Sequence, residues 1–288
     1  MADDRGGAAV PVRGAAPVHV TTWDDGAGAD AARVVLVHGT MTWGTESFAE
    51  QRPLARVFRL ELMDRRGYGG SPDTDRSDYE ADADDIAEVL ARTPGGAHLL
   101  GHSYGGVSAM FAAARHPELV RSLTLVEPSA LRAAEQHPEV AAALTRMRAA
   151  FGEVPRDMTP EQFLTVSTEP YGLPVPEFTP QRLRATGTAM RERIAWEADV
   201  PLAPLAAAPF PKLVLNGTWD TADPALRAFN GDAMAACGHA VAALMGARHI
   251  AVPNTAHDPH RDRPAEVNSL LTTFWTHPTP TRAAIPAG

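Results

Sequence analysis

Ala97-His98-Leu99-Leu100-Gly101-His102-Ser103-Tyr104-Gly105-Gly106 is the stretch that decides the fold, together with the run Val107-Ser108-Ala109-Met110-Phe111-Ala112-Ala113-Ala114 that follows it. An apolar segment enters Gly101-His102-Ser103-Tyr104-Gly105 and an alanine-rich helical segment leaves it, so the order is strand, sharp turn, helix. Serine at such a turn sits on a tight, strained backbone that glycine neighbours permit. Its hydroxyl is lifted clear of the sheet, with helix N–H groups behind it. That is the setting of an acyl-transfer nucleophile. A bare G-x-S-x-G also occurs by chance in loops; the strand and helix on either side set this one apart.

Outward from this turn, short apolar runs alternate with longer amphipathic ones, the pattern of βα units around a mostly parallel sheet. Strands are predicted at Val18–Trp23, Arg33–Val37, Phe58–Met63, Ala97–Leu100, Ser122–Val126, Lys212–Leu215 and His249–Val252. Arg33-Val34-Val35-Leu36-Val37 reads as a strand covered on both faces. Helices are predicted near Ser47–Ala55, Ser77–Arg92, Ser103–Arg115, Pro224–Met245 and Pro264–Thr276. Between Val126 and Pro211 the chain is too long for a simple crossover. Helical periodicity at Pro138–Phe151, Pro160–Val166 and Pro180–Ala198 is punctuated by proline, which predicts several short helices forming a lid above the strand ends. The expected organisation is a core of residues 17–127 and 211–278, a helical lid of residues 128–210, and disordered ends at 1–16 and 279–288.

Composition narrows the function. The 288 residues carry a formal net charge of -9, and Lys212 is the only lysine, which disfavours nucleic acid and anionic membranes as partners. No apolar stretch approaches the roughly 20 residues of a transmembrane helix. The acidic start Met1-Ala2-Asp3-Asp4 lacks the pattern of a signal peptide, so a cytoplasmic location is expected. One cysteine, Cys237, excludes an internal disulfide.

Five segments carry a resemblance: Val35-Leu36-Val37-His38-Gly39, Asp64-Arg65-Arg66-Gly67-Tyr68-Gly69-Gly70-Ser71, Gly101-His102-Ser103-Tyr104-Gly105-Gly106, Leu215-Asn216-Gly217-Thr218-Trp219-Asp220 and Asn254-Thr255-Ala256-His257. In this order and spacing the chain resembles the α/β-hydrolase fold superfamily over about residues 17 to 278. The resemblance implies a mostly parallel twisted sheet flanked by helices, with an inserted lid. It also implies the chain order serine, acid, histidine. Relatives that use an aspartate at the elbow, the haloalkane dehalogenases and epoxide hydrolases, are disfavoured by Ser103.

A serine hydroxyl needs a base to take its proton. His257, just beyond the last strand, is the candidate, with His260 the nearest rival. His102 is expected to pack away from the serine. Two carboxylates compete to orient the imidazole. Asp220, in the turn after the strand that begins at Lys212, is favoured as the position usual in the superfamily; Glu127, ending the preceding strand, is the alternative. Members that keep their acid at the Glu127 position include lactonases of the macrocyclic lactone zearalenone. Backbone donors for an oxyanion are expected from Tyr104 and from Thr40, with Met41 next to it. Trp43, Met158, Phe163, Met190 and Trp196 are expected at the substrate, and Met147, Phe151, Tyr171 and Phe178 are further apolar lid positions.

The segment Asp64–Ser71 lacks the spacing of a dinucleotide loop, and proline interrupts His257-Asp258-Pro259-His260, so neither a cofactor nor a metal is expected. The functional expectation is a serine hydrolase of an uncharged, mainly apolar ester or lactone of moderate size. The competing readings are a lyase or cofactor-free oxygenase using the same serine and histidine, and a ligand receptor with weak turnover. Oligomeric state is not legible.

Overall fold

The computed structural model describes residues 16–152, 155 and 157–277. The ends predicted to be disordered fall outside these residues apart from Ala16.

Seven strands form one sheet: β1 Val20–Trp23, β2 Arg33–Val37, β3 Arg59–Met63, β4 Ala97–His102, β5 Val120–Val126, β6 Lys212–Gly217 and β7 Arg248–Val252. Their spatial order is β1-β3-β2-β4-β5-β6-β7. β1 runs antiparallel to β3, and every other pairing is parallel. All seven predicted strands are present, each within two residues of expectation at either end.

β2 shows why the sheet must be covered twice. Its five residues are all buried, with Val35 and Val37 in one hydrophobic cluster and Val34 and Leu36 in the other. Side chains alternate across a strand, so a continuous apolar run requires helices on both faces. Tyr79–Leu90, Tyr104–Arg115 and Asp232–Met245 supply Ile86, Val107, Met110 and Val241 to the first face. Pro264–Thr276 and the 3-10 stretch Ala49–Arg56 supply Leu54, Leu271, Phe274 and Trp275 to the second. The helix expected at Ser47–Ala55 is a short turn, Gly44–Ser47, followed by that 3-10 stretch. Pro53 inside it has no N–H to give an α-helical ladder. The long helix expected from Pro224 likewise becomes a short turn and a π segment, Arg227–Gly231, before regular helix begins at Asp232.

Between β5 and β6 lie the helices Pro138–Gly152, Pro160–Val166, Pro180–Ala189 and Leu202–Ala207. Thr159 and Thr179 cap two of them, each accepting from a backbone N–H three residues on with proline at the first helical position. The prediction of helix through Ala198 is corrected: α-helix ends at Ala189, and a 3-10 turn follows at Ala195–Glu197.

The parallel strands all point their C-terminal ends the same way, so the turns after β2, β4, β5, β6 and β7 meet at one rim. The approach is close at the elbow. A Cβ on Gly105 would stand 2.4 Å from the carbonyl oxygens of both Val37 and His38. Gly105→Ala is therefore expected to lower stability by about 1–3 kcal/mol or more through overpacking against backbone, read as a drop in urea midpoint. An unchanged midpoint would show that β2 and the elbow are not in contact.

Candidate active site

Ser103 holds φ 53° and ψ -117°, between the end of β4 and the helix that begins at Tyr104. Its N–H donates to the Val126 carbonyl on β5 at 2.9 Å, and its own carbonyl accepts from Gly106 at 3.0 Å. These bonds hold a backbone geometry that L-residues rarely adopt.

His257 reaches Ser103 from the turn after β7, with Nε2 2.9 Å from Oγ. Behind it, Nδ1 stands 3.7 Å from Oε2 of Glu127. That is an ion-pair separation rather than a hydrogen bond. Both atoms are buried, and neither has a hydrogen-bond partner elsewhere among the described residues, so the two face each other as complements. Burial works to lower the His257 pKa, but Glu127 and Asp258 outweigh it and hold it above the ordinary 6.5.

Glu127 lies at the end of β5 with φ 45° and is fully buried. Its Oε1 accepts from the Gly217 N–H at 2.7 Å and from the Trp219 indole N–H at 3.2 Å, which fixes the carboxylate and leaves Oε2 for the imidazole. Asp220 is not brought to this place. Its Oδ1 accepts from the Thr218 hydroxyl at 2.5 Å on an exposed turn, and that bond leads the effects holding its pKa below the carboxylate norm. Trp219 is the physical reason: at φ 57° it turns its indole inward, 1% exposed, and the next residue faces outward. Of the two acids weighed from the sequence, the structure sets Glu127 beside the imidazole.

The other histidines lie apart from the serine. His260 is 1% exposed, its Nε2 donates to the Ser47 carbonyl at 3.1 Å, and burial pushes its pKa down to about 4. His102 donates from Nε2 to the carbonyl of His257 at 3.1 Å, which braces the backbone of that turn, and burial keeps its ring neutral. His102, Asp258 and His260 can each bring one ligand atom within 4.8 Å of the others. Both rings give Nε2 to carbonyls, and the Nδ1 of each is buried without a hydrogen-bond partner among the described residues.

A cavity of about 320 Å³ opens on Ser103. Thr40, Met41, Tyr104 and Ser129 line its floor, and Met147, Phe163, Ile194 and Trp196 from between β5 and β6 line its walls. Three expected contacts lie elsewhere among the described residues. Trp43 is carried past the left-handed Met41 (φ 56°) to a separate groove, where the Arg182 guanidinium sits 5.0 Å from its ring centre. Met158 and Met190 do not line the cavity; Met190 caps the helix that ends at Ala189, and the chain past it supplies the wall instead. Phe178 is 45% exposed, and the side chains of Phe151 and Tyr171 lie outside the described set.

Two residues went unnoticed in the sequence. Ser129 places Oγ 3.1 Å from Ser103 Oγ, and Glu192 turns a carboxylate onto Thr40. A serine two residues past Glu127 carries no local pattern. Glu192 sits between Arg191 and Arg193, and a charged run of that kind gives no local sign of its role.

A sequence profile described as the alpha/beta hydrolase family matches residues 34–270. The pimeloyl-(acyl-carrier protein) methyl ester esterase of Chromobacterium violaceum is 43% identical over 101 residues, 33% of this chain and 37% of that protein. Its namesake in Neisseria meningitidis serogroup C is 40% identical over 96 residues, 32% of this chain and 35% of that protein. The matches thus span little more than a third of these relatives' length. Among solved structures, a thermophilic esterase from Thermogutta terrifontis superposes with TM-score 0.57 at 24% identity, covering 89% of this chain and 93% of that one. An enol-lactonase from Burkholderia xenovorans gives 0.56 at 21%, covering 90% and 96%. At these identities the structural likeness is one of fold. With the profile spanning the sheet from β2 to the last helix, the chain belongs to the alpha/beta hydrolase family.

Proposed function

We propose that the protein is a cofactor-independent serine hydrolase that cleaves a carboxylic ester or lactone through an acyl-enzyme. The observation that carries this reading is the line Ser103 Oγ, His257 Nε2 at 2.9 Å, and Glu127 Oε2 at 3.7 Å from the other ring nitrogen. Ser103 attacks the acyl carbon as its proton passes to His257 Nε2, and Glu127 stabilises the imidazolium while keeping the proton of Nδ1 directed at itself. The negative oxygen of the tetrahedral intermediate is met by the N–H of Tyr104, which as the first residue of its helix has no intrahelical acceptor. The N–H of Thr40, with Met41 beside it, is the second donor. His257 then protonates the leaving alkoxide, and the same pair activates water to release the acid.

Residues 128–210 act in this reading as a lid, and the apolar wall they contribute selects the acyl group. Phe163→Ala or Trp196→Ala is expected to move the preferred acyl chain to larger sizes, changing the kcat/KM ratio of long to short esters by about tenfold. The same size ranking with a lowered melting temperature would make the segment structural only.

A lactone is the favoured variant where the position of the acid is weighed, because Glu127 after β5 is the arrangement that resembles the lactonase members. An ester is favoured by the named activity of the curated relatives. A panel of uncharged esters and lactones of graded size separates the two and tests the whole: hydrolysis of at least one series is expected. Turnover of none, by folded protein, contradicts the proposal.

A further inference from the structure

We propose that Glu192 is a positioning residue for the oxyanion hole, through which the lid segment sets the catalytic backbone; this rests on the hydrolytic reading above. Glu192 lies just past the helix Pro180–Ala189, and its side chain is only 8% exposed. Both oxygens are engaged. Oε1 accepts from Arg65 Nη2 at 2.7 Å and from the Tyr68 hydroxyl at 2.5 Å, and Oε2 accepts from the Thr40 hydroxyl at 2.5 Å. One carboxylate from the lid segment thus joins three side chains of the core.

The consequence falls on two backbone groups. Arg65 is fully buried, and its Nη2 donates to the Gly39 carbonyl at 2.9 Å as well as to Glu192. The Gly39 carbonyl and the Thr40 N–H belong to one planar trans peptide, so holding the carbonyl on Arg65 fixes the N–H in the opposite direction. Glu192 grips the same residue by its hydroxyl. The Thr40 peptide is therefore restrained from both ends. Arg65 also lies 4.1 Å from the ring centre of Tyr104, the residue whose N–H is the other donor, and its remaining charge is balanced by Asp82 at 3.0 Å. The Thr40 hydroxyl donates to Glu192, so the backbone N–H is the group Thr40 offers the oxyanion. Oxyanion donors act by being preorganised, and a displaced donor costs less than a deleted one, whose loss is about 10²–10³-fold.

The test compares Glu192→Gln and Thr40→Val with wild type. A trifluoromethyl ketone that adds to the serine serves as the transition-state probe. The carboxylic acid product of the best ester serves as the ground-state probe. Each variant is expected to lower kcat by about 10–100-fold with KM within a few-fold, and to raise the ketone Ki by the same factor while leaving product affinity unchanged. The double variant is expected to be no worse than the poorer single one, because both break one contact. Thr40→Val leaves the Arg65–Glu192 pair intact, so it remains informative if Glu192→Gln folds poorly. A lower melting temperature with unchanged kcat, or ketone and product affinities falling together, would overturn the assignment. No binding of the ketone and no hydrolysis by wild type would instead overturn the hydrolytic reading, and this one with it.

Discussion

Ser103→Ala is expected to abolish ester hydrolysis, with kcat reduced by about 10³-fold or more, because members of a nucleophile–base–acid set act as a unit. The substitution is a clean one for this backbone. Alanine keeps the Cβ, so the strain of φ 53° is unchanged, and only Oγ, the atom contacted by His257 and Ser129, is lost. Circular dichroism and melting temperature should match wild type. Substantial hydrolysis by the folded variant would mean that another group attacks the substrate.

Glu127→Gln carries the second largest expected effect, a loss of roughly 10³–10⁴ in kcat. The amide oxygen still serves Gly217 and Trp219, but the amide NH₂ then faces Nδ1 and favours the tautomer that carries its proton on Nε2, the wrong side for a base. A pH profile adds an independent sign. His257 must be neutral to act, and its pKa is held above 6.5, so wild-type kcat/KM should fall as pH drops through a point above 6.5. Glu127 is one of the groups that raise that pKa, so its loss should move the acid limb of the residual activity to lower pH. Asp220→Asn, on an exposed turn bonded to Thr218, should change neither rate nor limb appreciably. The opposite order of effects would return the orienting role to Asp220.

The sheet was legible because burial on both faces writes an unbroken apolar run such as Val34–Val37, and the elbow because glycines are needed where β2 and the turn after β4 approach. Ser103 and His257 could be singled out for the same reason: each sits in a turn directly after a strand, where the chain order constrains it. Which carboxylate stands beside the imidazole was not legible. Glu127 and Asp220 both follow strands, and the choice between them turns on which way a left-handed residue points the next side chain, here Trp219 inward and Asp220 outward. Pocket walls were harder still. Phe163 and Trp196 reach the cavity while Met158 and Met190 do not, since composition says that a surface is apolar but not which way each short helix faces. Glu192 lies 152 residues from Thr40 in the chain, a separation no local pattern bridges.

In the proposed mechanism Ser103 forms a covalent acyl-enzyme with His257 as its base. The most direct measurement is reaction with a fluorophosphonate followed by intact mass and peptide mapping. One adduct per chain, on the peptide containing Ser103, is expected for wild type, with no adduct on Ser103→Ala and labelling slowed at least tenfold in His257→Ala. A wild-type protein that hydrolyses its ester but takes no label, or carries the label on another residue, would rule that mechanism out.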